Sequence, residues 1–321
     1  MTLLSPDDVA PVKRDLDATL AALDRMLLGR PELHRLVLAG ILARGHVLLE
    51  GLPGLGKTAL IRALAQILDL DFKRVQFTPD LMPSDILGSH ILETGPDGNR
   101  AMAFKPGPVF CNLLLADEIN RASPKTQSAM LETMQERTVT LMGVTRPLPK
   151  PFFVLASQNP IELEGTYPLP EAQTDRFVFK LHVAPPDAAT LTAIITTRSH
   201  GDMPESGFTL GRDALERALD TVGKVLLPEA VAYWIGRLVA STHSAKYVTC
   251  GASPRAAIAM AESARALGLM DGRPSVGFDD VRKVAFPVLN HRLILDYRAK
   301  LDGVDARSVV DGVLESTPVA E

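Results

Sequence analysis

Eight residues, Gly51-Leu-Pro-Gly-Leu-Gly-Lys57-Thr58, are spaced to hold a chain of phosphates. They fit the pattern G-x-x-x-x-G-K-[ST], in which glycines let backbone N–H groups curl around phosphate oxygens and a helix N-terminus adds its positive dipole end. In this reading Gly51, Pro53, Gly54, Leu55, Gly56 and Ala59 belong to the cradle. Lys57 reaches the β- and γ-phosphates, and Thr58 offers its hydroxyl to Mg²⁺. The apolar run His46–Glu50 precedes the loop as a strand, and Ala59–Leu68 follows it as a helix, which is the context the pattern requires. The plainer alternative is a glycine turn that ends by accident in Lys-Thr. Average residue usage allows that in roughly one chain in a hundred, and it leaves the flanking elements unexplained. The chain is therefore expected to bind a nucleoside triphosphate, with ATP or ADP and Mg²⁺ as its cofactors.

A second group, Asn112-Leu-Leu-Leu-Ala-Asp117-Glu118, places two carboxylates at the end of a buried strand. In open α/β sheets that end is where ligands meet the protein. Asp117 can hold Mg²⁺ or its water, and Glu118 can polarise water against the γ-phosphate, so hydrolysis is favoured over transfer. A third strand, Phe152-Phe-Val-Leu-Ala-Ser-Gln158, leads to Asn159-Pro160. There Asn159 either orients the lytic water or merely forms the turn before proline, and sequence weights the two equally. In Ser253-Pro254-Arg255, serine and proline start a helix and leave Arg255 in its first turn, against the dipole. A nearby phosphate would remove that conflict; screening by solvent is the alternative. Lys125, in the similar start Ser123-Pro124-Lys125, is read as a cation screened by solvent.

The elements that must position these groups alternate through the first half, which indicates α/β architecture with a mainly parallel sheet. A helical leader spans about 8–28. Strands are expected at 46–50, 73–77, 111–117, 152–157 and 177–182, with helices at 58–68 and 124–135. Residues 80–108 are too broken by glycine and proline for a long helix, and 136–150 read as a hairpin turning at Gly143. After Pro185-Pro186 strand signals stop. Helical periodicity then dominates at 187–199, 212–222, 228–243, 253–268 and 278–290, as in a separate all-α domain. Residues 303–321 look polar, weakly patterned and frayed.

Composition bounds the function. The chain has 321 residues, 46% hydrophobic and 22% charged, the profile of a globular protein of two domains. A net charge of −4 argues against a surface built for nucleic acid. Cys111 and Cys250 lie far apart, without metal-ligand spacing, which fits a reducing cytoplasm; Cys111 reads as a small buried hydrophobe. No run is long enough to span a membrane, the start lacks a signal peptide's pattern, and the seven histidines are scattered as structural residues.

Taken in order, the P-loop, Asp117-Glu118, Asn159 and Arg255 resemble an AAA+ ATPase. More closely, Leu48–Thr58, Ala116-Asp-Glu-Ile-Asn-Arg-Ala122, Lys125-Thr-Gln-Ser-Ala129, Met134-Gln-Glu136, Ala156-Ser-Gln-Asn-Pro160, Glu171-Ala-Gln-Thr-Asp-Arg-Phe177 and Gly251-Ala-Ser-Pro-Arg255 resemble the MoxR subfamily over roughly residues 25–300. The resemblance implies a helical leader at 1–25, an AAA+ P-loop core of five parallel strands at 26–185, an all-α lid at 186–302 and a tail at 303–321. Within the core, 80–108 would be the insert in the second helix and 136–150 the hairpin before sensor 1. Leu28, Gly29 and Arg30 would border the adenine pocket, Asn159 would be sensor 1 and Arg255 sensor 2. Arg176 matches an arginine finger acting on a neighbouring subunit, with Arg121 a second trans-acting candidate; Thr174 stands where an apolar residue is expected. A lone subunit without its neighbour's finger would lose roughly 10³–10⁵ in rate, so a ring, as a hexamer, is implied. The resemblance also implies a protein client, a separate von Willebrand factor A domain partner, and a role in complex maturation or metal-cofactor insertion.

Two rivals come from other classes. Related motors move along nucleic acid, but the hairpin 136–150 carries Arg137, Arg146 and Lys150 against Glu136, a net of +2, while 80–108 carries Arg100 and Lys105 against four acids, a net of −2. Loops that cancel do not make a basic track. A nucleotide-gated scaffold without turnover is disfavoured by Glu118.

Overall fold

Strands that are apolar on both sides need cover on both faces. The computed structural model, which describes residues 4–94, 99–160, 166–197 and 204–319, provides it. Strands β1 (His46–Glu50), β2 (Phe72–Gln76), β3 (Leu113–Asp117), β4 (Phe153–Gln158) and β5 (Phe177–His182) form one parallel sheet in the order β2-β3-β4-β1-β5. Alternate residues point to opposite faces. Leu49, Leu113, Leu115, Leu155 and Phe179 pack against the helices Pro6–Met26, Pro31–Leu42 and Lys57–Leu68. Leu48, Leu114, Ala116, Val154 and Ala156 pack on the other face with Met130, Leu131 and Met134 of the helix Pro124–Glu136. Register brings Gln76 opposite Asp117 and Glu50 opposite Gln158, so the polar ends of four strands share one edge.

The expected strands and helices of the core lie within two residues of those observed. The helix Pro31–Leu42 is an addition to the expected elements. Seven of its residues are buried, including His34, so it lacks the polar stripe that marks a surface helix. Gly40 lets it close on the sheet, where a Cβ would collide with Val47. The 80–108 stretch forms the short helix Pro83–Leu87 and a hairpin of Gly88–Thr94 with Arg100–Pro106; Gly95, Asp97 and Gly98 lie outside the described residues. Thr138–Leu141 and Val144–Pro147 form the second hairpin, turning at Met142-Gly143.

Beyond residue 186 the five expected helices are found as Ala188–Thr197, Arg212–Val222, Glu229–Ser241, Pro254–Met270 and Phe278–Leu289. Three departures from the expected pattern appear, one of them the short helix Tyr297–Leu301 behind its Asp296 cap. A small antiparallel pair, Val248–Cys250 with Ile294–Leu295, interrupts the all-α reading. The expected frayed tail is instead the helix Ala306–Ser316, capped by Asp305 and burying Val309, Val310 and Val313. Its apolar stripe is short, but Trp234 anchors the chain just past its end by donating from Nε1 to the Thr317 carbonyl at 2.7 Å.

His46 sets an acid limit. Its Nε2–H donates to the Met134 carbonyl at 3.0 Å and its Nδ1 accepts the Val154 N–H at 2.9 Å, so the fold requires the neutral ring. Burial pushes its pKa down from 6.5 to about 4. Between those values the unfolded chain binds the extra proton, so stability present above pH 6.5 is lost as pH falls towards 4, by on the order of 3 kcal/mol. Urea titrations across that window are expected to show a shallower pH slope for His46→Asn than for the parent. An unchanged slope would assign the acid sensitivity elsewhere.

Candidate nucleotide site

The loop after β1 ends at Gly56, in the left-handed region, and opens directly into the helix Lys57–Leu68. Lys57 is buried. Its Nζ donates to the carbonyls of Gly51 and, at 3.1 Å, Leu52. Burial pulls its pKa below the usual value, and Asp117 and Glu118 oppose that shift. A cation held this way by two carbonyls can turn to a phosphate without first losing a salt bridge.

Two cavities meet at the loop. The first, about 320 Å³, is mainly apolar, with Leu28, Leu33, Leu60, Val183, Pro186 and Ile194 around it, and has the character of a base pocket. The second, about 420 Å³, is lined by Pro53 to Ala59 together with Arg74, Gln76, Asp117 and Glu118. Gly54, Leu55, Gly56, Lys57 and Ala59 border both, so the two form one trough. Gly29 has positive φ and packs so tightly on Thr190 that a Cβ would collide, which fixes the helix Ala188–Thr197 beside the pocket. Arg30 bridges the Leu55 and Ala184 carbonyls and so ties the loop to the end of β5.

The carboxylates sit at the end of β3 as expected, inside a network that the sequence did not reveal. Asp117 Oδ1 accepts the Ser157 hydroxyl at 2.5 Å, and Oδ2 accepts Arg74 at 2.8 and 3.1 Å. Glu118 has φ 56, a left-handed conformation that costs a non-glycine residue about 1–2 kcal/mol. Its N–H donates to Ser157 Oγ at 2.9 Å, so one serine holds both acids. Glu118 Oε2 accepts Gln76 at 2.6 Å and Arg121 at 3.1 Å, leaving Oε1 without a hydrogen bond among the described residues. Arg74 and Gln76 share a face of β2 through the two-residue period. Nothing in the sequence announces that this face meets Asp117; only the sheet order does.

The donor set fits Mg²⁺. Thr58 Oγ1 lies 3.5 Å from Asp117 Oδ2, and two neighbouring oxygens of an octahedral Mg²⁺ stand about 3 Å apart. Thr58 and Asp117 would hold the ion, directly or through water, and it would neutralise charge on the β- and γ-phosphates.

Other expected residues lie elsewhere. Asn159 follows β4, buried, with its carbonyl accepting the Asn120 amide at 3.3 Å, and borders neither cavity. Arg121, half exposed, is paired with Glu118 of its own chain at 3.1 Å. Arg255 starts its helix behind the Ser253 cap, lies 3.7 Å from Asp175 and borders neither cavity at the P-loop. It shares a separate cavity of about 460 Å³ with Arg176, Arg44, Arg137 and Arg292. Asp175 also takes Arg292 at 2.7 Å and the Ser253 hydroxyl at 2.9 Å. Among the described residues, Arg176 Nε and Nη1 are enclosed without a hydrogen-bond partner. Thr174, the departure from the expected apolar residue, donates to the His291 carbonyl at 3.3 Å.

Comparison with known proteins agrees with this geometry. A family described as "ATPase family associated with various cellular activities (AAA)" matches residues 46–179, and one described as "AAA lid domain" matches 240–313. Chaperone MoxR1 of Mycobacterium tuberculosis is 40% identical over 95% of this chain and 82% of its own length. Protein MoxR of Paracoccus denitrificans is 32% identical over 93% and 94%. A crystal structure of a protein from Cytophaga hutchinsonii superimposes with a TM-score of 0.90 at 37% identity, covering 98% of both chains. By sequence and by fold, the chain belongs to the MoxR family of AAA+ ATPases.

Proposed function

We propose that this chain hydrolyses ATP in a ring of identical subunits and couples the cycle to remodelling a protein client. The observation that carries the reading is the joined trough, in which the Lys57 ammonium, the Thr58 hydroxyl and the Asp117 and Glu118 carboxylates converge where a triphosphate would lie. Core and lid are taken as 26–185 and 186–302, with the lid extended through the helix Ala306–Ser316. Among the described residues no helix is long and apolar enough to cross a membrane.

The second arginine cavity supports the ring reading. Arg176 and Arg255 lie together, bordering neither cavity at the P-loop, and Arg176 Nε and Nη1, enclosed without a partner among the described residues, suit an anion brought by a neighbour. The two hairpins favour a protein client over nucleic acid. Arg146 stacks on Phe104 at 4.0 Å, joining the hairpins, and Arg137 donates to the Arg44 carbonyl, so two of the three hairpin cations are already engaged. Met142 is 77% exposed at one tip; Leu92 and Met102, paired across the other hairpin, are 58% and 57% exposed. Exposed apolar groups of this kind suit protein surfaces. The relative named Chaperone MoxR1 fits this reading. A separate von Willebrand factor A domain partner and metal-cofactor insertion extend it by family resemblance.

The test is nucleotide titration of the purified chain with Lys57→Ala beside it. A hydrogen bond to a charged group contributes about 1.5–3 kcal/mol, so the variant is expected to bind ATP about 10- to 100-fold more weakly. Equal affinity would remove the P-loop from the account. Single-stranded DNA at physiological salt is expected neither to bind nor to stimulate hydrolysis.

A further inference from the structure

Among the residues bordering the base pocket is His34, whose second ring nitrogen has no hydrogen bond among the described residues. Arg30 is committed to two carbonyls. His34, on the helix Pro31–Leu42, is only 1% exposed and yet borders the cavity. Its Nδ1 lies 2.6 Å from Asp24 Oδ1, on the helix Pro6–Met26. An ionised carboxylate only accepts, so the proton sits on Nδ1. Burial, aided by Arg30 and opposed by Asp24, holds the pKa of the ring below its usual value, so the ring is neutral at neutral pH. A neutral ring with its proton on Nδ1 presents a bare lone pair at Nε2. Nε2 makes no hydrogen bond among the described residues, and with Nδ1 turned to Asp24 it is the nitrogen left for whatever fills the pocket. An acceptor at a cavity wall that has no donor in the protein is open to one from a ligand.

We propose that His34 reads the base, its Nε2 accepting a hydrogen bond from the 6-amino group of adenine, with Asp24 fixing the tautomer that makes this possible. Guanine and hypoxanthine carry an oxygen at that position, which would set lone pair against lone pair. His34 is thus a specificity-determining residue and Asp24 a positioning residue, and the N-terminal helix becomes part of the nucleotide site. The inference rests on the reading that the P-loop holds a nucleotide. The competing account, that the pair only ties two helices together, predicts no dependence on the base.

The test is competition of ADP, inosine diphosphate and pyrophosphate against a fluorescent ADP on the full chain. The parent is expected to prefer ADP over inosine diphosphate by about tenfold or more. In His34→Phe, which keeps a planar ring and removes the acceptor, that ratio falls towards one while pyrophosphate affinity is unchanged. Asp24→Leu, which frees the tautomer, lies between. Should His34→Phe fail to fold, the parent alone decides with purine riboside diphosphate, which has neither amine nor oxygen at position 6 and is expected to bind between the other two. Equal affinity of the parent for ADP and inosine diphosphate, or a preference that survives in His34→Phe, overturns the proposal. Failure to bind even pyrophosphate overturns the P-loop reading, a distinguishable outcome that takes this inference with it.

Discussion

Glu118→Gln lowers steady-state ATP hydrolysis by about 10²–10⁴-fold, the usual contribution of a positioned general base, and leaves nucleotide binding in place. The substitution keeps the shape of the side chain and an oxygen able to accept from Gln76 and Arg121, which both reach Oε2. It removes the capacity of the other oxygen to draw a proton from water. Phosphate release and nucleotide titration on the same preparations separate the two effects. A variant that hydrolyses as fast as the parent would return the chain to the reading of a nucleotide-gated scaffold.

Arg176→Ala lowers hydrolysis by about 10³–10⁵-fold, the range for residues that place an arginine on a neighbour's γ-phosphate. It leaves the affinity of the isolated subunit for nucleotide unchanged. Asp175, the adjacent acid, is engaged by Arg292, Ser253 and Arg255, and Arg176 Nε and Nη1 find no acceptor among the described residues. An enclosed guanidinium without an acceptor is costly unless something outside the chain supplies one. Weakened binding to the isolated subunit would place Arg176 in its own site instead.

Much of the core was legible because its signals are local. Glycines at fixed offsets, an apolar run ending in Asp117-Glu118 and a break at Pro185-Pro186 need no knowledge of what lies across the sheet. The parts that were missed depend on distant partners. Arg74, Gln76 and Ser157 acquire meaning only once β2 and β4 flank β3. The helix Pro31–Leu42 is buried on most sides and so shows no amphipathic stripe. The helix Ala306–Ser316 has only a short stripe and depends on the docking of Thr317 beneath Trp234. Arg255 stands behind a serine cap as expected, yet the anion it meets is set by how the lid sits on the core, which spacing along the chain does not encode.

The central claim is that each active site is completed by the next subunit, and mixing two inactive proteins tests it most directly. Glu118→Gln keeps Arg176, and Arg176→Ala keeps Glu118. In a ring assembled at random from equal amounts, about a quarter of the interfaces place an intact Glu118 beside a neighbour's intact Arg176. The account predicts that the mixture regains ATP hydrolysis well above either component, and that dilution below the assembly concentration abolishes the gain. A mixture that assembles and yet stays as inactive as its parts would contradict it.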